Sequence, residues 1–317
     1  MSLAIVVGSE GQDGRLLFDH LANEGALVIG IGRTSARCSD RKKVNPVRIG
    51  NSAEVQSLVA QTMPEEIYYV AARHHSSEDR DVDDPGWEFQ LSYQVNLFGL
   101  VNFLEAVELM SPRTRVFYAG SCLVFGNPAT SPQNEETPIA PDTIYGSSKA
   151  AGMFACRTFR LGHDVYAASG ILYNHESPLR QAHFISSKIV RGAVGIAGGR
   201  QSRLVVGNLA ATVDWGYAPD FVRAMTSIVR LPDPADFVVA TGETHTVQDF
   251  VEIAFDMVGL DWRAHVVEQP GLVSGSRRQF LGDSSRLRNA AGWRPSVSFE
   301  EMIRLLILAE QEAATDV

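Results

Sequence analysis

The chain of 317 residues is 45% hydrophobic and 21% charged, and 28 Lys+Arg against 37 Asp+Glu give a formal net charge of -9. The apolar fraction is too high for a disordered chain, and no run of about 18 uncharged apolar residues suits a membrane span. The acidic balance lacks the broad basic field that neutralises a phosphate backbone, so a nucleic-acid polymer is not an expected partner, although a small anionic ligand needs only local donors.

At about 150 residues per domain, the length suits one large α/β domain or a main domain with a smaller partner. Cys38, Cys122 and Cys156 have spacings of neither a zinc site nor a disulfide framework, so no metal is expected. Met1 to Gly8 offers no basic stretch followed by a long apolar core, which predicts a cytoplasmic protein.

In chain order, Leu3–Val7 reads as a strand, Arg15–Glu24 as a helix, Ala26–Ile31 as a strand and Ala53–Gln61 as a helix. Ile67–Ala71 is a third strand, Trp87–Leu109 one long helix and Arg115–Ala119 a fourth strand. This alternation predicts an α/β Rossmann fold: a doubly wound parallel sheet with its ligand crevice at the strand carboxyl ends. Two segments interrupt it, Asn127–Thr143 with four prolines and Asn174–Gly207 with Gly192, Gly195, Gly198 and Gly199; both read as substrate-side insertions. A helix through Val258, a basic loop at Arg277 and Arg278, and a helix over Glu300–Gln311 complete the chain.

Gly8, Gly11 and Gly14 lie between the first strand and first helix, where dinucleotide folds need a tight turn and bare backbone for pyrophosphate at a helix N-terminus. At the end of the second strand an acid favours NAD, whereas arginine accommodates the 2′-phosphate of NADP. Arg33, Ser35 and Arg37 stand there with no acid until Asp40, which predicts NADP, with NAD as the alternative. Tyr145 and Lys149 fall four residues apart on one helix face, a spacing that lets an ammonium stabilise a phenolate for proton exchange. Ser121 ends the fourth strand and supplies a hydroxyl for the same oxygen.

With these motifs the sequence resembles the extended short-chain dehydrogenase/reductases, and within them the GDP-mannose 4,6-dehydratase-like nucleotide-sugar enzymes. The most specific likeness lies in Gly11-Gln12-Asp13-Gly14 and the run from Ser169 to Arg180; Gly207-Asn208-Leu209, Asp214-Trp215-Gly216 and Ala240-Thr241-Gly242 add to it. The resemblance implies a cofactor domain over residues 1–172 and 207–245, an interleaved substrate domain over 173–206 and 246–317, a nucleotide-sugar substrate and a homodimer or homotetramer. It implies that Ser121, Tyr145 and Lys149 are catalytic; that Gln12, Asp13, Asn51, Ala71, Ala72, His175 and Arg180 join the glycines at the cofactor; and that Asn174 and Lys188 face substrate.

The departures matter as much. The family has a glutamate two positions after the catalytic hydroxyl, as the base that removes the C5 proton; here that position is Leu123. Val213 and Val273 replace two arginines implied to bind the substrate diphosphate, and Arg277 and Arg278 are the candidate replacements. The leading expectation is therefore NADP-linked hydride transfer at sugar C4, as a ketoreductase, dehydrogenase or epimerase. One alternative is a dehydratase whose base is His74, His75 or Glu176; another is a non-catalytic cofactor-binding protein.

Overall fold

The structure is a computed structural model that describes residues 2–73, 84–269 and 279–315. The first half contains β1 (Leu3–Val7), α1 (Gln12–Asn23), β2 (Leu27–Ile31), β3 (Ala36–Cys38), α2 (Ser52–Thr62), β4 (Glu66–Tyr69), α3 (Pro85–Tyr93), α4 (Gly99–Met110) and β5 (Arg115–Ala119). Next come α5 (Ile144–Gly162), β6 (Ala167–Leu172), β7 (Asn174–Glu176), α6 (Ile185–Ala197), β8 (Leu204–Val206), β9 (Thr212–Val213), β10 (Trp215–Tyr217) and α7 (Ala218–Val229). The chain closes with β11 (Asp236–Val239), β12 (His245–Thr246), α8 (Val247–Asp256), β13 (Val266–Glu268), α9 (Ser285–Ala291) and α10 (Phe299–Thr315).

The central sheet has the order β11-β6-β5-β4-β1-β2-β3 and is parallel except at β3. Its strands are buried on both faces, which is why they read as apolar runs rather than alternating ones. The order reverses between β1 and β4, and such a switch point opens a crevice at the strand carboxyl ends. Gly8 follows β1 and meets Ala71 there: at φ +96°, a Cβ on Gly8 would fall 2.5 Å from the Ala71 nitrogen.

Four differences from the sequence expectations have physical causes. The second strand leads into an antiparallel hairpin, so Arg33 and Ser35 sit in a tight connection between β2 and the short edge strand β3. The third strand ends at Tyr69, leaving Ala71 and Ala72 in the loop beyond it. The single helix expected over Trp87–Leu109 is interrupted by a π-helical turn at Gln94–Phe98. That turn frees carbonyls for two buried phenols, Tyr69 donating to Val95 O at 2.6 Å and Tyr118 to Asn96 O at 2.9 Å. The glycine-rich stretch after Asn174 contains all of α6, where Gly192 and Gly195 permit close approach of Leu204 and Gln201.

Two apolar cores result. One surrounds the central sheet; the other joins α6, α8 and α10 through Trp215, which stacks on Phe299 at 5.7 Å and meets the edge of Phe250 at 5.3 Å. Buried Asp214 ties the segments between them, accepting from Thr241 N, Thr241 Oγ1, Gly242 N and Gly282 N at 2.6–3.2 Å. Gln133 anchors the proline-rich loop to the same place, accepting from Tyr173 Oη at 2.9 Å and Leu281 N at 3.1 Å.

Candidate active site

The glycine loop closes through Gly8 N and Ser9 N, which donate to Ile31 O, and Gly11 N, which donates to Gly8 O. Gly14 must lack a side chain, since a Cβ would lie 2.1 Å from Gly8 O. Gly11 has open space, with only Gly8 O at 3.5 Å, and it supplies no side-chain cap to α1. The amides of the first helical turn are thus left for an outside acceptor, as a dinucleotide pyrophosphate requires.

The neighbouring polar side chains brace this loop from across the cleft. Gln12 Nε2 donates to His175 O at 3.0 Å, and Ser177 Oγ donates to Gln12 Oε1 at 2.8 Å. His175 lies stacked on Phe221, with Nδ1 2.6 Å from Tyr173 O and Nε2 3.0 Å from Asp13 Oδ1. Both ring nitrogens therefore face acceptors, the pattern of an imidazolium. Burial opposes that charge, but the Asp13 carboxylate outweighs it and raises the His175 pKa. For Asp13, burial pulls upward, yet the charge and hydrogen bond of His175 hold the carboxyl at about 2.

Ser121 caps a 3₁₀ turn at the end of β5, its Oγ accepting from Leu123 N at 3.3 Å. Thr143 caps α5 through Gly146 N at 3.0 Å and sets Tyr145 and Lys149 on the first turns of that helix. Ser121 lies close enough to the Tyr145 phenol to favour its ionised form. Burial nonetheless raises the phenol above its ordinary range, against the nearby Arg180 cation. Lys149 is 1% exposed; its Nζ donates to Ala119 O at 2.8 Å and lies 5.7 Å from the Tyr145 ring centre. Burial pushes its ammonium down to about 7, with Asp13 opposing. The three residues expected to share proton transfer are thus together, with Asp13 electrostatically coupled to them.

Other expected residues are placed as follows. Arg180 Nε is 3.1 Å from Glu176 Oε2, and its guanidinium lies 3.6 Å over the Phe184 ring. Arg37 covers Phe18 at 3.9 Å and reaches Ser9 O at 3.4 Å. Asn174 is exposed on β7 and Lys188 half-buried on α6. Asn51 caps α2, its Oδ1 accepting from Ala53 N and Glu54 N, which accounts for its side chain without a ligand. Arg277, Arg278, Val273, His74 and His75 lie outside the described residues. Glu176 is 2% exposed and accepts from Ser186 Oγ at 2.6 Å, an environment unlike that of a free base.

Two further residues shape the site without a motif of their own. Buried Asn96 accepts from Arg73 N at 3.0 Å and donates to Ser148 Oγ at 2.8 Å, while Ser148 Oγ donates to Tyr145 O. This chain links the exit of β4 to the helix that holds Tyr145. Glu10 is hydrogen-bonded to the Arg33–Ser35 turn. The stretch around Asn96 also carries Gln90, Gln94 and Asn102, so nothing in the sequence singles it out, and Glu10 carries no spacing signal.

The fold, the bare glycine turn and the Ser121–Tyr145–Lys149 cluster define an NAD(P)-dependent short-chain dehydrogenase/reductase of the nucleotide-sugar epimerase/dehydratase group. Residues 5–306 match the family described as GDP-mannose 4,6 dehydratase, and the chain belongs to that family. It is 32% identical to GDP-mannose 4,6 dehydratase 2 of Arabidopsis thaliana, over 98% of this chain and 87% of that protein. It is 31% identical to GDP-mannose 4,6-dehydratase of Sinorhizobium fredii (strain HH103), over 95% and 94%. In fold it resembles RMD from Pseudomonas aeruginosa complexed with NADPH, with a TM-score of 0.85 at 20% identity, covering 99% of this chain and 100% of that one. The UDP-glucose 4-epimerase of Thermus thermophilus complexed with NAD gives 0.82 at 22% identity, covering 98% and 99%.

The Asp13–His175 pair generates a pH prediction. Because Asp13 sits at about 2 rather than 3.8, its contribution is present above pH 4 and lost as pH falls toward 2. Asp13→Asn should therefore lower unfolding free energy near pH 6 by about 2 kcal/mol. Denaturant titrations across pH 2–6 check this; variant and wild type with a constant stability difference over the whole range would refute it.

Proposed function

We propose that this protein is an NADP-linked enzyme that transfers hydride at C4 of a nucleotide-activated sugar without the 4,6-elimination, as a ketoreductase, dehydrogenase or epimerase. The single observation that carries this reading is Leu123, two residues beyond Ser121, beside an otherwise complete Ser121–Tyr145–Lys149 set. An alkyl side chain cannot take the C5 proton, whereas exchange of a hydroxyl proton at C4 needs only the phenol.

The residues that would hold the cofactor are the turn at Gly8, Gly11 and Gly14, the loop at Ala71 and Ala72, Lys149, and the Arg33–Arg37 hairpin; Asn51 is the weakest of the family-implied set. The bound nicotinamide supplies or accepts the hydride. Tyr145 then gives or takes the proton on the sugar oxygen, Ser121 orients that oxygen, and the Lys149 cation stabilises the phenolate. Gln12, Asp13 and His175 hold the glycine turn, and Arg180 adds positive potential near the phenol. Asn174 and Lys188, on β7 and α6, are assigned to the sugar nucleotide with the 173–206 and 246–317 segments; Arg277 and Arg278 are candidate diphosphate ligands.

A cytoplasmic homo-oligomer fits this reading. Among the described residues no helix is long and apolar enough to cross a membrane. Phe98 and Leu109 along α4 and its approach, with Phe154 and Leu161 on α5, are 49–74% exposed and form apolar stripes that a second copy would cover. Sedimentation is expected to give a dimer or tetramer; a monomer at micromolar concentration would contradict it.

The chemistry is tested with GDP-mannose and a panel of 4-keto nucleotide sugars. Wild type should reduce a 4-keto sugar with NADPH and form no 4-keto-6-deoxy product from GDP-mannose; ordinary dehydratase turnover would refute the restriction. Tyr145→Phe should lower hydride-transfer kcat by about 10²–10⁴-fold with cofactor binding retained. If its activity is unchanged, the catalytic assignment fails.

A further inference from the structure

Glu10 lies in the glycine loop, yet its carboxylate is held by a turn more than twenty residues away. Ser35 Oγ donates to Oε1 at 2.5 Å and Arg33 N donates to Oε2 at 3.2 Å, so each carboxylate oxygen has its own donor. The carboxyl lies over the bare backbone of Gly32, where a Cβ would come within 2.4 Å of Glu10 Cδ. Arg33 and Arg15 add positive potential, and with the two hydrogen bonds they keep the group ionised below the usual carboxylate range. Beside it is a cavity of about 390 Å³ lined by Ser9, Glu10, Arg15, Ser35 and Arg37, among others.

These donors are those that a 2′-phosphate on the adenosine ribose would use: a serine hydroxyl, a backbone amide and nearby guanidinium groups. A carboxylate already satisfies them. The two cofactors then differ sharply in what they meet. A ribose 2′-hydroxyl can donate to the resident carboxylate, as it does to the acid that ends the second strand in NAD-binding sheets. A phosphate monoester brings a second anion to the same donors and must turn the glutamate out into solvent.

We propose that Glu10 is a specificity-determining residue, an internal anion that occupies the 2′-phosphate subsite and must be turned out before NADP binds, so that it narrows the preference for NADP over NAD that the Arg33–Arg37 hairpin otherwise gives. The proposal rests on the reading that the Arg33–Arg37 hairpin receives the adenosine end of the cofactor. It sets a carboxylate of the first loop in competition with the cofactor phosphate for the donors of the hairpin. Because the side chain is exposed, it can leave without disturbing the core.

The test is equilibrium binding of NADPH and NADH, and of adenosine 2′,5′-bisphosphate and AMP, to wild type, Glu10→Gln and Glu10→Ala, followed by calorimetry. Glu10→Ala is expected to tighten NADPH and the bisphosphate by about tenfold or more while NADH and AMP change by less than about threefold. Glu10→Gln should move the same way, since it keeps the shape and removes the charge. Equal changes for both cofactors, or weaker NADPH binding in both variants, would overturn the assignment. A wild type that prefers NADPH with a ratio unaffected by either variant would remove Glu10 and leave the NADP reading standing. A wild type that prefers NADH but shifts toward NADPH in the variants would do the reverse.

Discussion

The ion pair between Asp13 and His175 is the constraint on which the site depends. It joins positions 162 residues apart, on the first turn of α1 and on the short strand β7. Desolvation opposes the charge on both partners, and each offsets that cost for the other. Together they fix the glycine turn against the segment that leads to Arg180 and the second core. The Gln12 contacts with His175 O and Ser177 Oγ run parallel to the pair and restrict the same movement.

The consequences reach the reacting groups. Lys149 is buried near Asp13, and that carboxylate offsets part of the desolvation that pulls the ammonium down. Tyr145 feels Arg180 as the cation that favours its phenolate, and Ser121 acts in the same direction. On the proposed reading, these groups work against the burial that raises the phenol. Leu123 is different: it lies in the 3₁₀ turn that follows Ser121 and offers no acid–base group. On the proposed reading, hydride transfer and elimination separate at a single side chain.

Much of the fold was legible because it is written locally. The apolar runs at Leu3–Val7 and Arg115–Ala119 match strands to the residue, and the glycines that follow β1 form the expected turn. What was not legible depends on distant partners. The π turn exists because Tyr69 and Tyr118 take the carbonyls of Val95 and Asn96, a relation that no helical period encodes. The β2–β3 hairpin was hidden because its edge strand has only three residues. At the site, family likeness brought Asp13 and His175 forward as cofactor contacts, while the structure adds that their side chains hold each other. Glu10 is not legible in the sequence because the ribose-side acid of a dinucleotide fold stands at the end of the second strand, whereas this one lies on the loop facing it.

The central claim is that C4 chemistry proceeds here without removal of the C5 proton. It is tested most directly by running the reaction in deuterated water and reading each sugar carbon by NMR. Hydride from the nicotinamide should appear at C4 with no solvent deuterium at C5, in recovered substrate or in product. Solvent deuterium at C5 at a rate comparable to turnover would contradict the claim and identify an elimination base other than the residue at position 123.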